Sequence, residues 1–134
     1  MKKILFAASE AVPFMKTGGL ADVTGSLPKY FDKKNYDVRV ILPKYVCMEE
    51  RWKGQLHFLC HFYVNLSWRK QYVGIFETTY DGITYYLVDN EFYFAGNAPY
   101  NNIYEDVEKF AFFSKAVLEA LPYLDFCPDI IQIG

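Results

Sequence analysis

Apolar residues run without interruption over positions 4–8, the pattern of a strand buried on both faces of a parallel sheet. A helix is expected over about 20–31, weakened by Gly25 and kinked or ended at Pro28. Residues 38–42 make a second apolar strand, stopped at Pro43. Strand, helix and strand in this order form a βαβ unit, whose crossover is right-handed. The middle of the chain changes character: 55–65, 71–78 and 83–88 predict three strands, with 65–70 as the first turn and Asp81-Gly82 as a hairpin turn. Antiparallel strands inserted in a βα framework form an edge ribbon or extend one side of the sheet. Residues 89–102 mix polar and aromatic positions with Gly96 and Pro99 and predict an exposed, irregular loop. A helix is expected over about 104–121, because Val107, Phe110, Phe113, Ser114, Val117, Leu118 and Leu121 recur in steps that give one buried stripe. Residues 129–133 then predict a further buried strand.

Composition adds bounds. One domain is expected of 134 residues, and an apolar share of 52% is ample for a core. Twelve Tyr and twelve Phe could stack on sugar rings, although aromatics more often serve as core or strand residues. A net charge of −2 gives no electrostatic footprint for nucleic acid. The apolar start is too short for a signal peptide and is broken by Ser9-Glu10, and no run approaches the ~20 apolar residues of a membrane span. A cytoplasmic protein is expected. Cys47, Cys60 and Cys127, odd in number and far apart, suit reduced thiols. Alternation in a strand sends Cys60 to the face opposite His57 and His61, so no metal site is expected there.

The candidate chemistry lies in Lys16-Thr17-Gly18-Gly19-Leu20-Ala21-Asp22-Val23, directly after the first strand. Paired glycines allow φ > 0 and close approach of a ligand, and the free N–H groups of a helix start favour an anion. Lys16 adds a compact cation suited to a phosphate oxygen. The same residues also read as a tight strand-to-helix turn with an exposed lysine. No Gly-Lys-Ser/Thr closes a Walker A frame, and adjacent glycines do not make a G-x-G-x-x-G dinucleotide fingerprint.

This run, with the following Gly-Ser-Leu-Pro and Asp-Val-Arg-Val-Ile-Leu-Pro, closely resembles the N-terminus of bacterial glycogen synthases and plant starch synthases. The resemblance continues through residues 85–94 and 106–116 and ends in Pro128-Asp129-Ile130-Ile131-Gln132, so it covers essentially the whole chain. It implies an α/β fold: the Rossmann-like N-terminal domain of a GT-B glycosyltransferase, a mostly parallel sheet with an inserted antiparallel β-ribbon. It further implies transfer of glucose from ADP-glucose, a substrate and not a cofactor, to the non-reducing end of an α-1,4-glucan with retention of configuration. Lys16 matches the family's nucleotide-sugar lysine, and Gly18 and Gly19 match the loop whose amides approach the diphosphate. Tyr100 resembles an acceptor-side aromatic. Asp22 is expected to be a first-turn carboxylate, and Glu91 to shape its loop.

Relatives continue into a second domain that carries the rest of the nucleotide pocket. Residues 1–134 are therefore expected to be a truncated N-terminal domain, acceptor-side, without the C-terminal nucleotide-binding domain and inactive alone. A non-catalytic glucan- or nucleotide-binding module and an unrelated nucleotide-binding α/β domain are the competing readings.

Overall fold

The structure is a computed structural model describing residues 1–134. Six strands, β1 (Lys2–Ala7), β2 (Tyr36–Pro43), β3 (His57–Leu66), β4 (Arg69–Tyr80), β5 (Ile83–Asp89) and β6 (Ile130–Ile133), form one sheet. Their order is β3-β4-β5-β2-β1-β6. β1 lies parallel between β2 and β6, and β5 runs parallel to β2 on the far side. β3 and β4 close that edge as an antiparallel ribbon. The expected class holds with one refinement, since the last of the three middle strands belongs to the parallel block.

Alternation along the parallel block supplies two cores. Leu5, Ile41, Tyr86 and Val88 face α3 (Ile103–Ala120), while Phe6, Val40, Tyr85 and Leu87 face the segment carrying Ala11 and Phe14. Both faces are covered, which explains why β1 and β2 read as continuous apolar runs. The hairpin turn at Asp81-Gly82 is as predicted. Both residues have positive φ, 52° and 77°, the backbone that a two-residue turn matching the strand twist demands.

The predicted first helix divides into α1 (Gly19–Ser26) and a tighter 3₁₀ turn, Leu27–Tyr30. Pro28, which has no N–H to give to a longer helix, sits in the first residues of that turn. A single helical turn, α2 (Glu50–Lys53), was not signalled by any apolar periodicity.

Four expectations require correction. β6 is not buried: Ile133 is 75% exposed, because β6 has a strand partner on one side only and little cover. The buried stripe of α3 is turned by about one residue toward Phe112, Ala116 and Ala120, leaving Val107 and Leu118 exposed. The cause is the 89–102 segment, which is irregular but not simply exposed. Asn90 caps its turn by accepting hydrogen bonds from the N–H groups of Phe92 and Tyr93, and this directs Tyr93 and Phe94 inward. The Tyr93 ring stacks on Phe112 at 4.6 Å between centroids, so α3 rolls its Phe112 side onto that shelf.

The fourth correction concerns β3. A register shift between Phe58 and Cys60 brings Phe58 onto the face of His61, whose ring it stacks against at 6.2 Å. The same shift pairs His57 with Glu77, two residues along from Ile75, the partner of Cys60. His57 and Cys60 therefore share a face, contrary to simple alternation, while His61 remains on the other and stacks on Tyr72.

Candidate functional site

The order of strands reverses beside β1: the chain passes from β1 to β2 on one side and reaches β6 on the other. Ligands of open α/β sheets bind outside the carboxyl ends of the strands at such a reversal. The residues following β1 stand there. Beside them a groove of about 300 Å³ opens between β1, β6 and α3, lined by Ser9, Tyr100, Phe110, Val117 and Ile133 among others.

Lys16 lies in the loop leading to α1 and pairs with Asp22, Nζ to Oδ2, at 2.9 Å. Both side chains are about half exposed, 54% each, so the pair is a weak surface contact from which the ammonium can turn at little cost. Asp22 is thus the first-turn carboxylate expected, with the added task of holding Lys16 at the helix start.

The glycines act differently from expectation. Neither has positive φ; Gly18 is extended, with φ −164°. A Cβ built on Gly18 or Gly19 would meet nothing within 4 Å. Their smallness therefore serves no internal packing and keeps the space in front of the loop clear. Nor is every amide of the loop directed at that space. Gly18 N–H donates to Glu10 Oε1 at 3.2 Å, and Ala21 N–H to the same oxygen at 3.3 Å. The Thr17 hydroxyl donates to Glu10 Oε2 at 2.5 Å. Glu10 is only 1% exposed, and the sequence pattern showed it merely as the end of an apolar run. A carboxylate placed immediately after a buried strand and before a helix start is the signal that could have drawn notice.

Tyr100 is brought to the same place by the other loop. Its hydroxyl is 2.6 Å from Ser9 Oγ, and the ring is 40% exposed. Burial raises the phenol above its ordinary pKa; the neighbouring Glu10 carboxylate adds to this and the Ser9 hydroxyl opposes it. Tyr100 therefore stays neutral and offers both a ring face and a hydroxyl. Tyr45, beyond β2, donates its hydroxyl to the Ser9 carbonyl at 2.6 Å and fixes the backbone on which the two loops meet.

The loop bearing Tyr100 is held by Lys109, a buried lysine, 3% exposed, that helical periodicity did not single out. Its ammonium donates to the Pro99 carbonyl at 2.7 Å and to Asn101 Oδ1 at 2.8 Å, with Asp106 Oδ1 at 3.6 Å. Asn102 caps α3 by accepting from Glu105 N–H, and Asp106 accepts from Asn101 N–H. Glu91, by contrast, is exposed and joins none of these contacts.

Thus Lys16, Gly18, Gly19 and Tyr100, which are far apart in sequence, converge on one end of the sheet, with Ser9 and Glu10 between them. Among known proteins, the chain is 67% identical to a glycogen synthase of Lachnoclostridium phytofermentans over 98% of its length, covering 28% of that protein. It is 63% identical to the glycogen synthase of Lachnospira eligens, again over 98% of the chain and 28% of the relative. The chain thus spans little more than a quarter of these relatives. The catalytic domain of starch synthase IV from Arabidopsis thaliana, solved with ADP and acarbose, superposes with a TM-score of 0.84 at 27% identity, over 98% of this chain and 27% of that one. The likeness agrees with the expected Rossmann-like, GT-B type of domain. The model of the starch synthase catalytic domain matches residues 3–133, and by that match the chain belongs to the starch synthase catalytic domain family.

Proposed function

We propose that this chain is the N-terminal, acceptor-side part of a glycogen or starch synthase that transfers glucose from ADP-glucose to the non-reducing end of an α-1,4-glucan, with retention. The convergence of Lys16 and the open face of Gly18 and Gly19 with Tyr100 at the carboxyl edge of the sheet carries this reading. Lys16 leaves Asp22 for the diphosphate and stabilises the negative charge that grows on ADP as it departs. The positive end of α1 favours the same anion. Clear space where two Cβ atoms would stand lets the diphosphate approach the backbone. Tyr100 offers its ring to an acceptor glucose, with its hydroxyl tethered to Ser9.

A second Rossmann-like domain of the full-length protein supplies the opposite wall of the cleft in this proposal. Residues 1–134 alone then bind ADP-glucose more weakly than a Kd of about 1 μM, and they transfer no glucose. The test is glucosyl transfer from ADP-glucose to maltooligosaccharide by the full-length protein. Lys16→Ala is expected to lower kcat by roughly 10²-fold, as loss of one preorganised charge partner does. An unchanged kcat/KM would return Lys16 to an ordinary surface lysine. Transfer by the isolated chain would refute the two-walled arrangement.

A further inference from the structure

Helix starts are ordinarily capped by the side chain of the N-cap residue, which accepts a hydrogen bond from the second or third amide of the helix. The N-cap of α1 is Gly18, which has no side chain, and none caps from that position. Its place is taken by a carboxylate eight residues upstream. Glu10 accepts from Gly18 N–H and from Ala21 N–H, the third helical amide, and from the Thr17 hydroxyl. Two of the amides at the helix start are thereby consumed inside the protein. Those of Gly19 and Leu20 donate to no protein group.

We propose that Glu10 is a positioning residue that caps α1 from behind, holding the Lys16–Gly19 loop in its ligand-receiving shape while leaving the front of the loop free of side chains. The logic is geometric. A Ser, Thr or Asp at the N-cap would satisfy the same amide but would stand in the space that a Cβ on Gly18 leaves open. Moving the cap behind the loop separates two tasks that one residue cannot perform together. It also assigns the amides: an anionic ligand in front of the loop meets Lys16 and the Gly19 and Leu20 N–H groups, while Gly18 N–H belongs to Glu10. Glu10 further neighbours the Tyr100 hydroxyl through Ser9, so the same carboxylate borders both loops. The role in catalysis rests on the nucleotide-sugar reading of the loop; the capping role does not.

The experiment compares full-length protein with Glu10→Ala, Glu10→Gln and Thr17→Val by amide hydrogen exchange and by steady-state kinetics with ADP-glucose and maltooligosaccharide. In Glu10→Ala, exchange of the Gly18 and Ala21 amides is expected to rise about tenfold or more while the sheet stays protected. Its kcat should fall roughly 10- to 100-fold, the range associated with misplacement of a positioning loop. The KM for glucan should stay within about twofold, since Tyr100 keeps its bond to Ser9 and its loop stays held by Lys109. Glu10→Gln keeps one acceptor oxygen and should recover part of the loss; Thr17→Val removes one donor and should cost about two- to fivefold in kcat. Unchanged kcat in Glu10→Ala overturns the proposal. So does loss of protection across the whole sheet with kcat per folded molecule unchanged, the behaviour of a residue needed only for folding. Should the alanine variant not fold, unchanged kcat in Thr17→Val overturns it. Absence of any transfer by wild type sinks the synthase reading instead, and a localised exchange effect then still upholds the cap.

Discussion

The two loops that meet at Ser9 and Tyr100 are each secured by one buried charge, and the charges are opposite. A carboxylate, Glu10, gathers the amides and hydroxyl of the Lys16 loop, while an ammonium, Lys109, gathers the carbonyl and amide oxygens of the Tyr100 loop. Each sign suits the backbone groups presented. A helix start offers N–H donors and asks for an anion; a loop folding back over a helix offers oxygens and asks for a cation. Irregular backbone can therefore be held firmly without regular hydrogen-bond ladders, provided a single ion reaches several groups. The difference lies in what remains open: the first loop keeps free amides in front, whereas the second keeps a free aromatic ring.

The widest separation between the loops should come from Lys109→Met. It strands Pro99 O, Asn101 Oδ1 and part of the Asp106 charge, and should cost about 2–4 kcal/mol, measured as a lowered urea midpoint. Exchange should quicken over 95–102 with the Lys16 loop unaffected; loosening of both loops would show them to be one unit. Next is Gly25→Ala on the other side. Its Cβ would come 2.3 Å from Val12 Cγ2 and 2.9 Å from the Val12 carbonyl, so α1 must lift from the segment that follows β1. A destabilisation of about 1–3 kcal/mol is expected, with the opposite distribution of exchange. Tyr100→Phe removes only the link between the loops and should cost about 0.5–1 kcal/mol; a larger loss would mean that the loops depend on each other.

The last effect vanishes at ordinary pH. Burial raises Tyr85, beneath Phe14 of the first loop, and Tyr93, beneath the second, each to about 12, the latter helped by its bond to Glu108. A phenol raised in the folded state contributes stability that is fully present below about pH 10, its unfolded value, and is lost as pH rises through about 12. Alkaline absorbance titration, compared with Tyr85→Phe and Tyr93→Phe, should show these two tyrosines ionising near pH 12; their ionisation near pH 10 would contradict the burial.

What could be read from the chain was governed by how local each cause is. β1, β2, the Asp81-Gly82 turn and the extent of α3 follow from residues within a few positions of one another. The exposure of β6, the rotation of α3 and the inward turn of Tyr93 and Phe94 depend on partners far along the chain. At the site, Lys16, Gly18 and Gly19 were legible as a loop, and Tyr100 only through family resemblance. Their meeting at Ser9, and the charges Glu10 and Lys109 beneath them, were not. A buried Glu or Lys reads as surface until its hydrogen-bond partners are known.

β1 has consequences for synthesis as well as for structure. It is made before the other five strands of this sheet and is flanked by two of them, yet these partners arrive very unequally. β2 emerges soon after it; β6 emerges last, and only then does Asp129 accept a hydrogen bond from Lys3 N–H. At about 5–20 residues per second, the intervening stretch of roughly ninety residues takes on the order of 4–20 s to translate. Throughout that interval a strongly apolar strand presents a bare edge to solvent or to a chaperone, so the nascent chain is most open to mispairing at the strand that will later carry the Lys16 loop.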